Sequence, residues 1–187
     1  MFMDKEKIDL IDYLKSATLE DAVNIFHSSG RVRPLYGRNS VMLRTIGDNF
    51  NVDSYQRYYF DDFRRMKAMT EFAEFCDALK RFDILDDRER LLEVILEAGD
   101  ILFQSRVLDL RHKENDQYRD ARTKMNTAIS YIRKELKKRG ISMDTVVIIS
   151  KIKYGIRSWR HLKGLAPKNK NLEKEFCLKR LSELQRT

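Results

Sequence analysis

The stretch NDQYRDARTKMNTAISYIRKELKKRG, residues 115–140, decides the fold. Tyr118, Ala121, Met125, Ala128, Ile132 and Leu136 follow one another at intervals of three or four. That rhythm gathers them on one side of an α-helix and leaves the charge to the other. Lys137, Lys138 and Arg139 fall in the last turn, where cations complement the helix dipole, and Gly140 stands where a left-handed residue ends a helix. The spacing predicts a helix over 115–139.

The same rhythm continues in both directions. Upstream, Asp53 can cap a long helix to about Phe82, with Tyr59, Phe63, Met66, Met69, Phe72, Cys76 and Leu79 on one side. Phe60, Phe75 and Phe82 widen that face, which suits a helix buried on two sides. Asp86 and Asp87 begin another helix, which turns Leu91, Leu92, Ile95 and Leu96 inward. Gly99 either ends or interrupts it, and the pattern resumes to about His112. Nearer the start, Ile8, Ile11 and Leu14 mark a first helix, and Thr18 caps a second that runs to about Phe26. Downstream, Asp144 is placed as the cap of a helix carrying Ile149, Ile152, Ile156 and Trp159, and Leu172, Phe176, Leu181 and Leu184 mark a last one. Only 30–52 breaks the pattern, where Gly30, Pro34, Gly37 and Gly47 predict a long loop. The expectation is an all-α bundle of about six to eight helices with one long Arg-rich loop (30–52), folded as a single helical domain over 1–187.

Composition agrees. With 187 residues, 42% hydrophobic and 35% charged, the chain can bury a sizeable core without staples, and disorder, collagen and membrane-spanning classes are excluded. Seven glycines and two prolines are too few for an all-β chain rich in tight turns. Cys76 and Cys177 cannot form a disulfide scaffold or a thiolate zinc site. The opening Met-Phe-Met-Asp-Lys-Glu-Lys has no apolar leader core, so a cytoplasmic or nuclear location is expected.

Charge carries the functional argument. The net charge of +8 divides into −5 over an acidic part, 1–100, and +13 over a basic part, 101–187. A basic half concentrates polyanions around itself. On a wheel stepped by 100° per residue, Ile149, Ile152, Ile156 and Trp159 share one side. Lys153, Arg157 and Arg160 flank it, and Tyr154 and His161 lie opposite, so a basic face with an aromatic edge is expected there. A second cationic surface comprises Arg119, Arg122, Arg133, Lys134, Lys137 and Lys138, on the helix side facing away from its apolar stripe. A third comprises Arg31, Arg33, Arg38 and Arg44 in the loop, where planar guanidinium groups suit phosphates and bases. The alternative for the loop arginines is pairing with the acids of 48–100 across the fold.

Other chemistry finds little support. Gly-rich phosphate loops are missing, and three histidines without a carboxylate at ligand spacing make no metal centre, so no metal or cofactor is expected. A helix-turn-helix around Gly155 would need apolar residues where Arg160 and Lys163 stand. Arg106-Val107-Leu108-Asp109-Leu110-Arg111-His112 resembles, over seven residues, the Arg-x(4–6)-His signature of HEPN-type ribonucleases, which are small helical bundles. The resemblance implies that Arg106 and His112 act together on RNA, usually across a dimer. Val107 stands where that family often has a polar residue, and twenty arginines and three histidines yield about one such match by chance.

The sequence therefore points to a non-enzymatic nucleic-acid-binding protein, for RNA or single strands, with phosphates held by the basic part. Two alternatives stand beside it. One is a protein-interaction or inhibitor module whose basic face docks an acidic partner. The other is the HEPN-like ribonuclease with Arg106 and His112 as its catalytic pair.

Overall fold

The structure, a computed structural model, describes residues 16–28, 60–112, 119–166 and 168–186. Six α-helices and no strand occur among them: α1 (Leu19–Ser28), α2 (Phe60–Leu85), α3 (Arg88–His112), α4 (Arg119–Lys138), α5 (Met143–Leu162) and α6 (Lys170–Leu184). The all-α bundle expected from the spacing is the one observed. The Arg-rich loop and the first helix expected over 4–15 lie outside the described residues.

Short-range chemistry sets the helix ends. Thr18 caps α1, its Oγ1 accepting from the Asp21 amide at 3.2 Å. Asp87 caps α3 by accepting from the Arg90 amide at 2.7 Å. Asp86 beside it takes a left-handed φ of 44°, a conformation Asp tolerates better than most residues. Two residues thus separate α2 from α3, which makes them an antiparallel hairpin. Gly140 follows α4 with φ 69°; its amide bonds to the Lys137 carbonyl and the Ile141 amide to the Leu136 carbonyl, the Schellman pattern. Ser142, not Asp144, caps α5, accepting from the Thr145 amide at 3.0 Å. The Ser hydroxyl sits three residues before that amide, whereas Asp144 already lies in the first turn, where its charge favours the dipole. Asn169 caps α6 in the same way.

Two helices form the spine. α3 packs against α2, α4, α5 and α6, and α5 packs against α1, α3 and α6. The core draws Phe75 and Leu79 from α2, Leu92, Ile95 and Ile101 from α3, and Ile132 and Leu136 from α4. It is completed by Ile149, Ile152 and Ile156 from α5 and Leu181 from α6. Each such side chain, fully buried, contributes roughly 1.5–3 kcal/mol. Gly99 neither ends nor interrupts α3. A Cβ there would lie 1.9 Å from Ser150 Oγ and 3.1 Å from its Cβ, so the glycine is what lets α5 approach α3 closely. Gly155 likewise lies within a continuous helix, so no helix-turn-helix forms around it.

Candidate functional site

Helix α5 departs most from its expected role. All eight residues from Ile149 to Ile156 are buried. The wheel divides this segment into an apolar side and a basic side, but α1, α3 and α6 between them cover both. The expected outward basic face is therefore an inward one over Lys153, Tyr154 and Arg157. Cations can occupy such a place only where acids meet them. Lys153 Nζ donates to both carboxylate oxygens of Asp100 on α3, at 2.6 Å each. The Tyr154 hydroxyl donates to Oδ1 of the same carboxylate. Tyr154 stacks on Phe103 with ring centres 4.8 Å apart.

One turn further on, the Arg157 guanidinium grips Glu173 of α6 through Nε and Nη2 at 2.8 and 2.9 Å. Burial works against the guanidinium charge, but the Glu173 bonds together with the nearby charge of Glu173, Tyr154 and Asp100 outweigh it and raise the Arg157 pKa. Arg157 also lies 5.6 Å from the Tyr154 ring centre, so the two pairs join into one network.

The acid side of this network was not singled out from the sequence. Glu71 of α2 and Glu97 and Asp100 of α3 bring carboxylate oxygens within 4.8 Å of one another. Glu97 is held protonated up to about pH 7, first by burial and then by the negative charges of Asp100, Glu74 and Glu71, with Lys153 opposing. Three clustered carboxylates are the ligand type of a hard cation. Here Asp100 already spends both of its oxygens on the Lys153 ammonium, so the cluster reads as an ionic core.

The outer surface of α4 is built differently. Met125, Ile132 and Leu136 turn inward, and Asn126, Thr127, Ser130, Arg133, Lys134 and Lys137 are exposed. Arg133, Lys134 and Lys137 make no ion pair among the described residues. Asn126 to Lys137 spans about 16 Å at 1.5 Å per residue, and Glu135, the one acid within it, is turned inward and buried. That glutamate is held ionised by Lys138 at 2.6 Å and Arg139 at 3.0 Å, and its pKa is lowered accordingly. Arg139 reaches on to Asp83 of α2 and lowers the pKa of that carboxyl as well.

The remaining expected residues divide as follows. Lys138 is committed to Glu135, and Arg160 is half-buried with Nε on the Ala166 carbonyl at 2.8 Å. His161 is half-buried near the end of α5. Trp159, read as apolar core, is half-buried and anchors α5 to the start of α1 by donating Nε1–H to the Ala17 carbonyl at 2.9 Å. Arg106 and His112 lie in the last two turns of α3, but their side chains fall outside the described part. Arg31, Arg33, Arg38 and Arg44 lie outside the described residues. The structure thus brings Lys153, Tyr154 and Arg157 together in the interior and leaves Arg133, Lys134 and Lys137 together outside. No family model, curated protein or solved structure matches the chain.

Proposed function

We propose that this protein binds nucleic acid, with RNA or single strands favoured over duplex DNA, and that the outer face of α4 is its phosphate-binding surface. The observation that carries the reading is the group of Arg133, Lys134 and Lys137, exposed along one face and unpaired among the described residues. Ser130 and Asn126 lie beside them on the exposed side. Arg and Lys neutralise phosphates, and hydroxyl and amide side chains supply the shorter hydrogen bonds that fix a strand in register. Lys153 and Arg157 of α5, by contrast, are consumed in holding helices together. Contacts from Arg31, Arg33, Arg38 and Arg44 remain an expectation from the sequence alone.

Fluorescence anisotropy with single-stranded RNA, single-stranded DNA and duplex DNA, each at several salt concentrations, tests this. Three phosphate contacts on a single strand give a log–log salt slope of about −2, and Arg133→Ala, Lys134→Ala and Lys137→Ala should each flatten it by about 0.7. Lys80→Ala, which removes an exposed cation from α2, should leave the slope unchanged. Absence of binding at low salt, or a triple alanine variant that binds as the unaltered protein does, overturns the proposal. In the first case, co-purification with an acidic protein is the measurement to make next.

A further inference from the structure

Among the described residues, Tyr131 is the one large apolar side chain of α4 that lies exposed, at 44%. A single surface tyrosine needs no account, but the setting of this one does. Its ring meets Phe72 of α2 with centres 5.7 Å apart and planes inclined at 63°. Phe72 in turn lies 6.5 Å from Phe75, which is fully buried. A line of three rings thus runs from the core to the surface, and the outermost is held on its α2 side by an edge contact. Met69, one turn before Phe72, is 73% exposed and extends the apolar margin.

The ring also borders the cationic face. At 100° per residue, Tyr131 stands about 60° from Lys134, which follows it by three positions, and neighbours at that spacing have their Cβ atoms about 5–6 Å apart. Lys134 is exposed, with Arg133 and Lys137 beyond it on the same face. The acid one turn on, Glu135, is turned inward and neutralised by Lys138 and Arg139. On α2, Glu71 is buried beside Glu97 and Asp100 of α3, and Glu74 and Asp77 stand about 160° and about 140° round the helix from Phe72. The margin between the ring and Lys134 therefore carries apolar surface and positive charge together.

We propose that Tyr131 is a stacking platform for one unpaired base of a nucleic-acid strand whose phosphates lie on Arg133, Lys134 and Lys137. The inference rests on the phosphate-binding reading of α4 and adds to it the group that separates single strands from duplex. Every base has a π face, so such a contact tolerates any sequence, and stacking on an aromatic side chain strengthens binding by about five- to 150-fold per base. The part of the ring already covered by Phe72 sets the lower end, about five- to tenfold. A ring fixed in this way loses little freedom when a base settles on it. In a duplex the bases are stacked on one another inside the helix and do not reach the platform.

Anisotropy titrations of the full chain with single-stranded RNA, single-stranded DNA, an abasic DNA strand of the same length and duplex DNA test this. Tyr131→Leu should weaken binding to the base-bearing single strands about five- to tenfold and leave the salt slope unchanged, because no phosphate contact is lost. It should leave binding to the abasic strand and to the duplex as they are, and the larger of the RNA and DNA losses names the strand the platform serves. Tyr131→Phe keeps the ring and should bind as the unaltered protein does. An otherwise abasic strand with a single 2-aminopurine reads the stack directly: its fluorescence should fall on binding to the unaltered protein and not on binding to Tyr131→Leu. Salt-dependent binding that Tyr131→Leu does not weaken, Tyr131→Phe binding as poorly as Tyr131→Leu, or 2-aminopurine fluorescence that the unaltered protein does not change would each overturn the platform while the phosphate-binding reading stands. Absence of any oligonucleotide binding is the failure of that reading itself and removes the platform with it.

Discussion

Lys153→Met is the most informative single change in this protein. The thioether chain fills nearly the volume of the lysine stem but carries no charge. The Lys153 side chain is 7% exposed and that of Asp100 17%, so their pair lies near the buried limit. Removing one partner of a buried pair leaves the other charge without its counter-ion, at a cost of about 3–5 kcal/mol. The partial access of Asp100 to solvent and the Tyr154 hydroxyl it retains argue for the lower value, about 3 kcal/mol. Domains are stable by only about 5–15 kcal/mol, so this is a large share of the total. With a urea dependence of about 2 kcal/mol per molar, the midpoint should fall by about 1.5 M. Urea unfolding at pH 7, followed by circular dichroism at 222 nm, measures this. Adding Asp100→Leu should recover at least half of the loss, because a pair of apolar residues needs no counter-charge. Lys174→Ala is the control: its partner Glu89 is 2.8 Å away, but both side chains are about half exposed, and the loss should stay within about 0.5 kcal/mol. A loss below 1 kcal/mol for Lys153→Met, or a double variant weaker than the single one, would refute the reasoning.

Three further outcomes follow from particular positions. Gly→Ala in a helix interior ordinarily stabilises by about 1 kcal/mol, but Gly99→Ala should destabilise by about 1–3 kcal/mol because the new methyl group meets Ser150; adding Ser150→Ala should recover part of the loss in the same urea titration. Gly140→Ala meets no atom within 4 Å, so its loss of about 1–2 kcal/mol is purely that of a left-handed backbone; a Tm lower by about 2–8 °C is expected, and an unchanged Tm would contradict it. Cys177 is buried, donates to the Ile149 carbonyl, and has a thiol pKa pushed up to about 12 by that burial. A thiol reagent at pH 8 should therefore modify it only as fast as the protein unfolds, and prompt labelling of both cysteines in the native protein would show the interior to be open.

Much of the architecture was legible. Helix existence rested on spacing, and the caps at Thr18, Asp87 and Gly140 rested on residues whose local chemistry admits few alternatives. The interior of α5 was not legible in the same way. A wheel assigns sides to one helix but does not say how many neighbours that helix has, and with three neighbours a basic side becomes an interior one. A clue lay in the partner. Glu93, Glu97, Asp100 and Gln104 recur at intervals of four, three and four, a polar stripe on a helix otherwise rich in leucine and isoleucine. Such a stripe on a helix that must be buried calls for cations from elsewhere in the chain.

The charge asymmetry has the same explanation in part. Asp83 with Arg139, Glu89 with Lys174, Asp100 with Lys153 and Glu20 with Lys179 each join an acid from the first hundred residues to a cation from the last 87. The acidic and basic parts are thus partly complementary to each other, and among the described residues Arg133, Lys134 and Lys137 are cations that stand outside those pairs.

The sequence by itself determined the helices of the described residues, several of their ends and the excess of positive charge, because these depend on residues within a few positions of one another and on a sum that folding does not change. Which cations face water and which face a carboxylate was decided only by the tertiary structure. That choice depends on residues some fifty positions apart, Asp100 and Lys153 foremost, and on a glycine whose missing side chain lets their helices meet.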